Sequence, residues 1–129
     1  MILEAAMLTV HSGQERAFEA AMLQAAPVIA GSPGYLGHEL RRCVGTPGRY
    51  LLLVRWETLE AHTVGFRQSP AFTKWREIIG GFFAGPPVVE HCESVLEWPG
   101  PAQAARRHAP TAPAPPPPAT SVPRGELPQ

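Results

Sequence analysis

His62, Arg76 and Trp56 are the residues whose side chains can be combined into a reaction. A histidine close to a helix start feels the positive end of the helix dipole, which disfavours imidazolium and leaves a neutral ring able to accept a proton. Arg76 keeps its charge and can hold a phenolate or a developing oxyanion. Phe66 follows His62 by one helical turn, so its ring can wall the same patch. Trp56 offers a flat face on which an aromatic ligand can stack, and Phe72 and Phe83 extend the apolar wall. A base, an anion holder and a dry cavity form the minimum set for one chemistry. They can strip a proton from a phenol or enol, and the resulting anion can itself give an electron to oxygen. Each residue also has a plainer role, as a half-exposed helix histidine, a surface arginine, or a core aromatic.

Other chemistries are closed off by what is missing. The chain contains neither Asn nor Asp, which removes a Ser-His-Asp triad, an EF-hand loop and an N-glycan acceptor. His38, His62 and His91 lack the short spacing of metal ligands, and Cys43 and Cys92 have no ligand-like neighbours, so no metal site is expected. The two cysteines read as small buried residues. Glu90 and Glu93 fall on opposite faces of a strand and do not make a carboxylate pair.

The elements that must position these side chains follow from periodicity. Ile2–Val10 reads as a strand, apolar apart from Glu4. Ser12 is a candidate cap for a helix beginning near Gln14, with Phe18, Met22, Ala25 and Ile29 on one stripe. Pro27 inside that pattern should kink or shorten it. Tyr35–Cys43 is a second strand, joined by the Val44–Gly48 loop to a third at Arg49–Trp56. In that third strand Tyr50, Leu52, Val54 and Trp56 point one way, Leu51 and Leu53 the other. Both faces are apolar and both need cover; helices supply one, and a second copy of the chain is the simplest cover for the other. Thr58 can cap a helix from Leu59 to about Gln68. Ser69 caps the next, with Pro70 at its first position and Phe72, Trp75, Ile79 and Phe82 as its stripe. Val88–Leu96 is the last strand. The order β-α-β-β-α-β is a ferredoxin-like α+β fold with an antiparallel sheet and a broken second helix.

Composition changes near Trp98. Residues 99–129 hold ten of the sixteen prolines and no Ile, Phe, Trp or Tyr, so they read as a disordered tail behind a domain at 1–98. Net charge is zero and neither part carries a basic footprint, which argues against nucleic acid as a partner. With no leader peptide and no apolar run of membrane length recognised, the expected location is the cytoplasm, off the membrane.

Three segments carry a family resemblance: Pro-Gly-Tyr-Leu-Gly at 33–37, Leu-Leu-Val-Arg-Trp-Glu at 52–57 and Phe-Arg-Gln-Ser-Pro-Ala-Phe at 66–72. Val-Glu-His at 89–91 adds to them. Together they resemble the antibiotic biosynthesis monooxygenase family, over about residues 2–97. The resemblance implies a dimeric α+β barrel in which two sheets face each other. Family members that oxidise polyphenols to quinones without metal or flavin place a Trp where Trp56 stands and an Arg near Arg76. They also have a Tyr near His62 and an Asn near Leu52, both replaced here. Haem-degrading members use Asn, Trp and His near Ala6, Phe66 and Arg76, and this chain has none of the three. Relatives often carry His-His-Phe-Tyr where Gly80-Gly81-Phe82-Phe83 stand. The expectation is therefore a homodimeric, cofactor-independent monooxygenase acting on a small phenolic or quinol-like aromatic. His62 and Arg76 would be catalytic, with Trp56, Phe66, Phe72 and Phe83 holding substrate. The alternative is a non-catalytic dimer of the same fold that binds a small hydrophobic ligand.

Overall fold

The computed structural model describes residues 1–102. Met1–Val95 form one compact unit, three residues shorter than the boundary expected from composition. Most of the proline-rich tail, at 103–129, lies outside the described residues. Strands β1 (Ile2–Thr9), β2 (Tyr35–Arg42), β3 (Arg49–Trp56) and β4 (Val88–Cys92) form one sheet in the order β2-β3-β1-β4. Every neighbouring pair is antiparallel. Helices α1 (Glu15–Ala30) and α2 (Pro70–Ile79) contact one another and pack on one face of the sheet. This is the ferredoxin-like α+β architecture.

That face is where the core sits. Ala6 and Leu8 of β1 and Tyr50, Leu52, Val54 and Trp56 of β3 are buried, and Phe18, Met22, Ala25 and Ile29 of α1 close over them. The opposite face carries Leu3, Ala5, Met7, Leu51 and Leu53, all only half-buried in a single chain. Alternation of side chains along β1 and β3 produces both faces at once.

Several local expectations are corrected. Ser12 makes no cap; the first helix starts after Gln14, whose side chain makes no capping bond. Pro27 does not end α1, which runs on to Ala30. Proline deprives the Leu23 carbonyl of its partner, but Leu23 is 78% exposed, so water can replace the lost donor. The last strand stops at Cys92 rather than Leu96, and Cys92 is exposed rather than buried. Ser69, by contrast, caps α2 as expected: its Oγ accepts from the Phe72 amide at 3.4 Å, and Pro70 occupies the first turn.

Candidate active site

The segment after β3 is wound differently from the α-helix expected there. Thr58 does receive the Ala61 amide at 3.1 Å, as a cap should. Beyond it, Ala61–Phe66 form a π-helical turn in which the Arg67 amide donates to the His62 carbonyl, five residues back, at 2.9 Å. Such wide turns cluster at functional sites because they re-aim side chains. This one drives His62 and Phe66 inward together, both buried, with rings stacked at 6.4 Å. Its approach to the sheet requires Gly34: at φ +85° a side chain would be strained, and a Cβ would stand 2.7 Å from that of Ala61.

His62 is 4% exposed and lies between two partners. Its Nδ1 is 2.8 Å from Nε2 of His91 on β4, and its Nε2 is 3.4 Å from Oε1 of Glu4 on β1. The sheet sets this up, because Glu4 and His91 are direct cross-strand partners and both project to the helix side. Glu4 is 6% exposed, and its Oε1 accepts the Trp56 indole N–H at 3.0 Å. Burial raises the Glu4 carboxyl above the ordinary range, against smaller lowering effects from the Trp56 hydrogen bond and the Arg67 charge. The His62 imidazole is pushed down to about 4, first by burial, then by His91 and Arg67. His62 is thus neutral, as the sequence reading required, but through loss of water rather than through a helix dipole.

Glu4, His62, Arg67 and Arg76 all line a cavity of about 300 Å³ between the sheet and α2. Its remaining wall is apolar, built from residues such as Leu52, Phe72, Trp75, Ile79 and Phe83. The Arg67 and Arg76 guanidinium groups lie 5.9 and 5.8 Å from the centre of the Phe72 ring. All of these lining residues come from one chain.

Of the residues expected at the site, His62, Arg76, Phe72 and Phe83 line this cavity together. Trp56 and Phe66 do not. Trp56 is completely buried, stacked on His62 at 5.3 Å, and has no surface left on which a substrate could lie. Phe66, 2% exposed, backs the same stack. Both pack against the His62 ring. Glu4 and His91 were missed as site residues. His38 points elsewhere, its Nδ1 bonded to the Tyr35 hydroxyl at 2.5 Å. The line Glu4–His62–His91 does not converge on one point, and among the described residues no group of three His, Cys or Glu is arranged to hold a metal ion.

A family model described as antibiotic biosynthesis monooxygenase matches residues 1–78, from β1 through most of α2. This chain belongs to that family. The uncharacterized protein YczJ of Bacillus subtilis (strain 168) is 47% identical over 95 residues, covering 74% of this chain and 100% of YczJ. A crystal structure of a family member from Bordetella bronchiseptica is 44% identical, with a TM-score of 0.72 over 74% of this chain and 97% of that one. SnoaB, a cofactor-independent oxygenase from Streptomyces nogalater, shares the fold at 20% identity and a TM-score of 0.57, over 78% of this chain and 96% of SnoaB. The family match spans Glu4, His62, Phe72 and Arg76 and stops short of Phe83 and His91. Leu52, within the matched residues, gives the cavity an alkyl wall at the centre of β3.

Proposed function

We propose that this chain is a cofactor-independent monooxygenase that oxidises a small phenol or quinol to a quinone, working as a homodimer. The observation that carries this is a buried Glu4–His62 pair on the wall of a cavity that also holds Arg67 and Arg76 and is otherwise mostly apolar. Proton abstraction needs a group that is unprotonated yet basic. An imidazole kept neutral beside a carboxyl made more basic by burial provides it. The phenolate left behind is balanced by Arg76 and, in a dry cavity, gives one electron to dioxygen. Recombination at the ring carbon forms a C–O bond. Cleavage of the O–O bond, with loss of the ring C–H proton, leaves a quinone. One oxygen atom enters the product and the other leaves in water, so phenol plus O2 gives quinone plus H2O with no net proton change.

The cavity volume lies at the lower edge of the range typical for small-molecule pockets, which supports a substrate of one or two rings rather than a large polyketide. The half-covered leucines of β1 and β3 support a dimer built face to face through the sheet. The test is oxygen uptake by the purified chain with a panel of hydroquinones and naphthols. Turnover that disappears in His62→Ala supports the proposal. A compound recovered from the cavity unchanged, with no oxygen consumed, favours the ligand-binding alternative.

A further inference from the structure

The reaction above leaves one question that the geometry answers: where the abstracted proton goes. His62 is a poor place to keep it. With a pKa of about 4, it holds a second proton in only about one molecule in a thousand at pH 7. Glu4 faces Trp56, His62 and the cavity, so with substrate seated there its remaining neighbour for a proton is His62. The contact of His62 that leads outward is His91, 2.8 Å from its Nδ1 and exposed on the edge strand β4. Imidazole accepts at one nitrogen and donates from the other, so two rings in line move a proton without either having to remain charged.

Resting on the monooxygenase reading, we propose that His91 is the solvent-side end of a proton chain running Glu4–His62–His91. His91 sets the tautomer of His62, receives the substrate's proton through it, and returns a proton when the peroxide breaks down to water. It never touches substrate and is a positioning and relay residue. The charged and titratable groups facing His62 are Glu4 from β1, His91 from β4 and Arg67 at the end of its own segment. Arg67 repels an imidazolium and so favours onward transfer. The register places the relay where only this strand can complete it, since Glu4 pairs with His91 across β1 and β4 and Ala6 with Val89.

The experiment uses the full chain with hydroquinone as the probe and two variants. His91→Gln keeps a hydrogen-bonding group beside His62 but cannot relay a proton; His91→Leu removes both. Oxygen uptake is expected to lose at least about tenfold in kcat in each variant with KM unchanged, and added imidazole should restore most of it. Ring-nitrogen NMR of His62 gives a readout that needs no turnover: its tautomer should be single in wild type and mixed in His91→Leu. Wild-type kcat in His91→Gln, or a loss indifferent to imidazole, overturns the relay while leaving the monooxygenase reading intact. Should the wild-type chain consume no oxygen, that reading falls, and a His62 nitrogen pattern unmoved by His91→Leu would remove the relay as well.

Discussion

Two glutamates in this molecule each accept a hydrogen bond from a buried aromatic side chain, and they end up opposite. Glu4 takes the Trp56 indole at 3.0 Å; Glu19 takes the Tyr50 hydroxyl at 2.6 Å. Glu19 sits at the rim of α1, where Arg42 grips it with bonds of 2.8 to 3.2 Å. Its pKa is lowered, by the Tyr50 hydrogen bond first and Arg42 next. Glu4 has no cation in contact and little water, so its pKa rises. One carboxylate fastens a helix to a sheet, while the other is held uncomfortably at a cavity beside a neutral histidine. A residue that lowers its own charge stability to stay buried is a better functional candidate than one with satisfied partners.

The sharpest way to break that contrast is through turnover. Glu4→Gln and His62→Gln should each lose about 10²–10⁴ in kcat for quinol oxidation, whereas Glu19→Gln should stay within about twofold. Oxygen-electrode assays on the three variants decide it, and equal losses would erase the distinction. Next in size is packing. Trp56→Ala should cost about 3–5 kcal/mol, read by urea denaturation, because a fully buried ring is deleted and Glu4 loses its donor.

The pH dependence of stability sharpens the comparison further. His62 is lowered from 6.5 to about 4 on folding, so between those values the unfolded chain binds more protons. Stability from His62 is therefore full above pH 6.5 and falls by up to about 3 kcal/mol as pH drops to 4. Glu4, raised above 4.5, binds its proton more readily when folded and works against that loss; Glu19, lowered, adds a loss at more acidic pH. Denaturation at a series of pH values should show a steeper fall from 6.5 to 4 in Glu4→Gln and a flatter acid limb in Glu19→Gln. The smallest effect is Tyr50→Phe, about 1 kcal/mol of stability with turnover unchanged.

Much of this was legible in the residues. Two-sided alternation in β3 gave its limits residue for residue, and the Phe18–Met22–Ala25–Ile29 stripe gave the buried side of α1, because period alone decides both. His62, Arg76, Phe72 and Phe83 were marked by their chemistry and spacing and do meet at one cavity. Glu4 went unrecognised although it shares phase with Ala6 and Leu8 on β1; a charged residue in a core-facing position was the available signal. His91 could not be joined to His62, since that contact depends on the β1–β4 register and on a π-turn, and neither leaves a mark in local periodicity. Trp56, expected to hold substrate, does not line the cavity and packs behind His62, because sequence says that a tryptophan ends a strand and not how deep that end is buried.

The central claim is that the Glu4–His62 pair removes a proton from a bound phenol. Anaerobic mixing of the chain with a nitrophenol, whose anion absorbs in the visible, reads that step directly without oxygen chemistry. At a pH where the free phenol is protonated, the account predicts that the bound compound shows the phenolate band, and that the band vanishes in His62→Gln. A nitrophenol that binds in the cavity and keeps the spectrum of its neutral form would contradict it.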